Sequence, residues 1–121
     1  MKICTDLEQS KKLAEILPIE SADMMWDDWS LIDEGWKLSV GYYPEIEKDY
    51  GRKCYPAWSL AALTNVMRLD YYIVRTLDIL THKFTYSIHA GYFDIETDEY
   101  DELIDACVEM IYELKEKDLL K

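Results

Sequence analysis

The side chains in this chain best suited to proton transfer or nucleophilic attack are two histidines, His82 and His89, and three cysteines, Cys4, Cys54 and Cys107. A thiol becomes a useful nucleophile when an imidazole sits beside it. Cys54 is remote from both histidines in sequence, so only the fold could bring such a pair together. The histidines stand seven residues apart, not at the i, i+4 spacing of a helical zinc site. His82 falls in a turn-forming stretch, and His89 falls on a strand face opposite Tyr86. The chain contains no Gly-x-Ser-x-Gly elbow, phosphate-binding loop or dinucleotide fingerprint. No catalytic residue is assigned and no cofactor is expected. A small hydrolase or metal-dependent enzyme using Cys54, His82 or His89 is the second expectation.

Metal chemistry has one further candidate, the acidic run "DIETDEYDELID". Its carboxylates Asp94, Glu96, Asp98, Glu102 and Asp105 occupy positions 1, 3, 5, 9 and 12 of a calcium loop. Such a loop needs glycine at its sixth position and a bidentate glutamate at its twelfth. Here Glu99 and Asp105 stand there, and no helix leads in. The acids fit better as the start of a helix, whose positive end they suit. The odd cysteine count, with long spacings and no Cys-x-x-Cys, argues against a disulfide framework and a zinc knuckle. No metal is expected.

Charge says more. Twenty-five acids against thirteen bases give a net charge of −12. A chain that repels phosphate is a poor direct ligand for nucleic acid or an anionic membrane. A cationic protein is the partner that fits, and charge of this sign would steer it in. The segment 20–34 holds Glu20, Asp23, Asp27, Asp28, Asp33 and Glu34 without a base, interleaved with Trp26 and Trp29. Exposed tryptophans beside acids anchor protein interfaces. The expected binding residues are therefore Trp26, Trp29, Asp27, Asp28, Asp33 and Glu34. The plainer reading of the same tryptophans is edge residues half-covering a sheet. A carboxylate array mimicking nucleic acid, and a tyrosine-lined pocket for a small molecule, are narrower alternatives.

The elements that must position these residues follow from periodicity. "DLEQSKKLAEILP" predicts a helix with Leu7, Leu13, Ile16 and Leu17 on one side, capped by Thr5 or Asp6 and ended by Pro18. Residues 24–31 and the alternating "WKLSVGYY" at 36–43 predict a hairpin around the turn at Asp33–Gly35. "YPAWSLAALTNVM", residues 55–67, predicts a buried helix beginning at Pro56 or Ser59. "YYIVRTLDIL" and "FTYSIHAGYF" predict a second hairpin turning at "THK", though 69–80 also fits a helical period. Tyr100, Leu103, Ile104, Cys107, Met110, Ile111 and Leu114 share one arc of a C-terminal helix, with Asp98 as its cap.

Three segments, "SKKLAEILP" at 10–18, "YPAWSLAALTNVM" at 55–67 and "IDACVEMIYELKEKDLL" at 104–120, resemble a family of small uncharacterised proteins from phages and mobile elements of gut bacteria. There, a Pro-Ala-Trp-Ser-Leu segment precedes a short helix, and an Asp-Ala step opens a C-terminal amphipathic helix. "YDELIDA" lacks the Asn-Pro that the family carries before that step. The resemblance implies a genetic setting, the accessory gene of a mobile element, and transfers no catalytic residue.

The chain is thus expected to form a single α+β domain, residues 1–121, ordered α-ββ-α-ββ-α, with a mostly antiparallel four-stranded sheet and helices packed on one face. An acid at Asp6 interrupts any signal-peptide pattern. No apolar run reaches the roughly 20 residues of a membrane span. A cytoplasmic, non-enzymatic module that binds a cationic host protein is the leading expectation; the pattern does not speak to oligomeric state.

Overall fold

The computed structural model describes residues 2–29, 35–43, 45, 47, 51–67 and 70–120. The chain gathers into two compact units, Cys4–Ala62 and, with Met1–Ile3, Leu63–Lys121.

In the first unit α1 (Leu7–Ala14) opens with a reciprocal cap. Asp6 Oδ1 accepts from the Gln9 N–H at 2.8 Å, and Gln9 Oε1 accepts from the Asp6 N–H at 3.0 Å. Asp6 rather than Thr5 therefore starts this helix, by satisfying donors that the first turn leaves unpaired. Strand β1 (Met24–Asp28) lies between β2 (Trp36–Val40) and β3 (Cys54–Ala57), antiparallel to both. Trp26 stands opposite Leu38 on one side and Tyr55 on the other. The Trp29 N–H donates to the Gly35 carbonyl at 2.7 Å, extending the hairpin one step past β1. Gly35 sits at φ 89°, a conformation glycine adopts without strain.

β3 is the first correction. Residues 55–57 read as the opening of a helix, yet they pair with β1. Pro56 is tolerated because β3 is an edge strand and needs no second ladder partner. The helix that follows, α2 (Leu60–Met67), starts at Ser59 and not at Pro56. Ser59 Oγ accepts from the Ala62 N–H at 3.3 Å, while the Asp23 carboxylate accepts from both the Ser59 hydroxyl and its N–H.

In the second unit β4 (Tyr72–Asp78), β5 (Lys83–Ala90) and β6 (Ile95–Glu96) form an antiparallel sheet in that order. The helical alternative for 69–80 gives way to strand from Tyr72 onward. The register places Ile73 opposite Ile88 and Leu77 opposite Phe84. Ile88 and Ala90 are buried on the face of β5 against α3 (Leu103–Glu116).

Of the expected arc, helix α3 buries Ile104, Cys107, Met110, Ile111 and Leu114 and leaves Leu103 half-buried, and it buries Ala106 and Val108 besides. Burial pushes the Cys107 thiol up to about 12, so it is an inert packing group. The helix starts later than expected. Glu102 holds the N-cap position, while Asp98 uses its N–H to reach Glu109 Oε2 at 2.7 Å. Tyr100 is not helical; it exchanges backbone bonds with Tyr86 at 2.7 and 2.8 Å.

Burial raises the Glu109 pKa above its ordinary 4.5, against the pull of the Asp98 N–H. The folded state then holds this proton more tightly than the unfolded chain does. Stability contributed by the protonated form is present below the unfolded value and declines as pH rises through the raised folded one. Glu109→Gln removes that decline and keeps an acceptor for Asp98. Relative to wild type, its urea midpoint should therefore rise as pH climbs above the unfolded glutamate value, about 4.5.

Among the described residues the expected single four-stranded sheet gives way to two sheets: the α+β class holds, but each hairpin supplies two strands of its own three-stranded sheet. The physical reason is that an isolated hairpin is marginal in water. Each one recruits a third strand, β3 or β6, from a stretch whose composition carries no alternation. Among the described residues, no helix is long and apolar enough to cross a membrane.

Candidate functional site

Within the tryptophan–carboxylate segment, Asp27 is taken up by an internal network, whereas Glu20 and Asp23 are exposed. Asp27 is 5% exposed. Its oxygens accept from Arg52 Nε at 3.1 Å, Arg52 Nη2 at 3.0 Å and Trp29 Nε1 at 2.9 Å. The Arg52 guanidinium lies 4.3 Å from the Trp29 ring centre and Lys37 Nζ lies 5.2 Å from it. Trp26 is half-buried, its Nε1 donating to the Thr5 carbonyl at 3.0 Å. Asp28 is half-buried at the end of β1. Asp33 and Glu34 lie outside the described residues.

Of the chemical candidates, Cys54 is buried on β3, and burial first, then the charge of Glu47, raises its pKa. A thiol held protonated is a poor nucleophile. His82 is exposed in the β4–β5 turn at φ 59°, its N–H donating to the Asp78 carbonyl at 2.8 Å. The five carboxylates of the loop 94–105 do not converge. Glu96 pairs with His89, while Glu102 and Asp105 accept from the backbone N–H and Nζ of Lys2, at 3.1 and 2.7 Å. Among the described residues, no three His, Cys, Asp or Glu side chains are grouped to hold a metal ion.

His89 is the exception. The ladder sets Tyr72 of β4 opposite it on one side and Glu96 of β6 on the other. Directly opposed residues share a sheet face, so the three side chains form one row across the whole sheet. The Tyr72 and His89 rings stack 5.0 Å apart and 10° from parallel. His89 Nδ1 lies 3.1 Å from Glu96 Oε2, and Nε2 lies 3.2 Å from Ser87 Oγ, two residues back on the same strand. With its proton on Nδ1, the imidazole donates to Glu96 and accepts from Ser87, so both nitrogens are satisfied.

The chain turns after this row through a 3₁₀ segment, Gly91–Phe93, and through Asp94 in the left-handed conformation, φ 55°. That turn brings β6 back along β5. A cleft of about 400 Å³ results, lined by Tyr72, His89, Gly91, Asp94, Ile95 and Glu96.

No protein-family model, curated protein or solved structure matches this chain. Among the described residues that sequence reasoning singled out as chemical candidates, His89 is the one whose ring the fold lines up with a hydroxyl and a carboxylate. Ser87, Tyr72, Glu96 and Asp94 were not assigned to it. One signal for Glu96 was available, since a short glycine-containing turn after "SIHA" can fold the chain back on itself.

Proposed function

We propose that this protein is a non-enzymatic binding module that docks an extended segment of a cationic protein along strand β4. The observation that carries this reading is the crowding of exposed apolar side chains on the β4–β5 hairpin: Tyr72, Ile73, Leu77 and Phe84 along it, with Ile79 78% and Leu80 92% exposed in its turn. Among the described residues, β5 is the sole strand beside β4, so its outer row of N–H and C=O groups has no strand partner. Proteins guard such edges with outward charges, prolines or bulges. Between Tyr72 and Leu77 the one charge is Arg75, whose guanidinium lies 4.3 Å from the Phe84 ring centre. An edge with a single charge among apolar side chains is a template that strand addition can use.

The net charge of −12 selects the sign of the partner, and Asp70 and Asp78 are exposed around the two ends of β4. A second copy of the chain would meet the same charge. The mobile-element setting implied by the sequence resemblance fits an accessory protein that acts on a host component.

Affinity capture at low and high salt tests this, with wild type, Ile79→Ser/Leu80→Ser and, as a control on the other sheet, Val40→Ser. A basic partner held by wild type and Val40→Ser, and weakened on the order of 30-fold by the hairpin pair, is the expected result. Capture unaffected by the hairpin pair overturns the reading. So does a dimer whose formation the same pair abolishes, because β4 would then pair with itself.

A hydrolase is the second reading, now with different residues. Ser87, His89 and Glu96 are hydrogen-bonded in the order nucleophile, base, acid. It ranks below binding because Ser87 is 6% exposed, which leaves an acyl group no approach, and the Glu96 side chain is 71% exposed to solvent. A fluorophosphonate probe discriminates. Labelling of wild type that Ser87→Ala abolishes would establish the hydrolase; no labelling is expected.

A further inference from the structure

We propose that the cleft at the base of β4 takes one protonated amine or guanidinium group, the tip of a lysine or arginine side chain on the docked segment. This inference rests on the docking reading and names the chemistry the partner must bring.

Tyr72 belongs both to the unpaired edge strand and to the cleft wall. A strand laid along β4 therefore passes the cleft mouth, and one side chain of the added strand can turn into it. The charged groups in the wall are the Asp94 and Glu96 carboxylates, with His89 as the remaining titratable group beside Tyr72, and no lysine or arginine lines it. The wall thus offers two carboxylates and no permanent cation. The volume, about 400 Å³, lies within the range of pockets that enclose small ligands. It accommodates an extended basic side chain, and the Tyr72 ring offers the aromatic surface that cations favour.

The site is also held in place. Glu96 is fixed by its bond to His89, and the imidazole by Ser87 on its far nitrogen and by the stacked tyrosine. The Asp94 backbone takes the left-handed turn that its residue type tolerates. A carboxylate already oriented by His89 loses less freedom when a guanidinium arrives than a free one would.

The test uses the full chain and follows the Tyr72, His89 and Gly91 resonances by NMR during titration. Probes are arginine amide, its neutral isostere citrulline amide, agmatine, and a capped pentapeptide Val-Thr-Arg-Thr-Val. Arginine amide and the peptide should move these signals, the peptide at the lowest concentration, and citrulline amide should not.

Glu96→Gln and Asp94→Asn should each weaken peptide binding about tenfold; asparagine keeps the turn at 94 intact. Gly91→Leu should abolish binding by filling the cleft without removing a charge. A Cβ there comes to 4.0 Å of the Tyr72 ring, and the backbone lies outside the left-handed region. Unchanged amide spectra away from the cleft confirm that each variant is folded.

Equal binding of citrulline amide, binding that survives Gly91→Leu, or no shift with any cation overturns the assignment. Agmatine binding as tightly as the peptide also overturns it, since the ligand would then be a free diffusible cation. The two readings fail separately. Hairpin variants that keep full partner capture sink the docking reading alone, whereas capture lost in those variants with a silent cleft sinks only the cation site.

Discussion

Trp58→Ala lowers the unfolding free energy by about 3–5 kcal/mol, the range for deleting a fully buried large aromatic. Trp58 has no exposed surface. Its indole Nε1 donates to Ser21 Oγ at 2.9 Å, and its backbone N–H donates to Thr5 Oγ1 at 3.1 Å. Its carbonyl accepts from the Thr5 N–H at 2.9 Å. Thr5 in turn bonds Ser10 through its hydroxyl at 2.8 Å, with both residues buried. The side chain therefore fills volume and ties the 3₁₀ turn Ile19–Ser21, while its backbone ties the segment ahead of α1 to the end of β3. Alanine keeps the backbone bonds and loses the rest. Trp58→Phe retains most of the volume and gives up the Ser21 bond, so about 2 kcal/mol is expected. Urea denaturation followed by far-ultraviolet circular dichroism measures both. A loss below 1 kcal/mol for alanine would mean that the surrounding side chains close over the gap.

That single residue shows what the sequence could and could not disclose. Its burial was legible, because apolar neighbours leave it no polar surface to face. Its place in the chain was not. "YPAW" looks like a helix entrance since proline favours the first helical turn, and nothing local states that Cys54–Ala57 have a partner in Met24–Asp27. Strand pairing is a long-range property, whereas a cap is a local one. Asp6 and Ser59 were therefore readable as helix starts, each beside one alternative, though the cap expected at Asp98 lies at Glu102, and both hairpins were readable from the strand-forming runs. A two-residue strand such as β6 has no pattern to read.

The same distinction governs the site. His89 was visible as a residue type, but the company it keeps depends on register. Tyr72 precedes it by a whole hairpin, and Glu96 had been counted among the acids of a helix start. Once β4, β5 and β6 are aligned, three residues of unrelated local context fall into one row. The expected anchor at Trp26 and Trp29 carries the opposite lesson. Alternation places tryptophans on a hairpin, but it cannot state that Arg52, from a distant polar stretch, will arrive to neutralise Asp27.

Arg52→Met should cost about 3 kcal/mol, near the lower end for breaking a buried ion pair. The Arg52 and Asp27 side chains are 15% and 7% exposed. Removing the guanidinium leaves a desolvated carboxylate with the Trp29 N–H as its remaining side-chain donor among those identified. The double variant Asp27→Leu/Arg52→Met should recover most of the loss, because the desolvation penalty disappears with the charges. Urea denaturation of the two single variants and the double closes the cycle. The outcome also decides where the partner sits. An internal network makes Arg52→Met a stability variant whose partner capture, corrected for folded fraction, is unchanged. The hairpin pair Ile79→Ser/Leu80→Ser should do the reverse, sparing stability and losing capture. If Arg52→Met keeps its stability yet abolishes capture, the cationic partner docks on Trp29 and Asp27 after all. Strand β4 would then need another explanation for its bare edge.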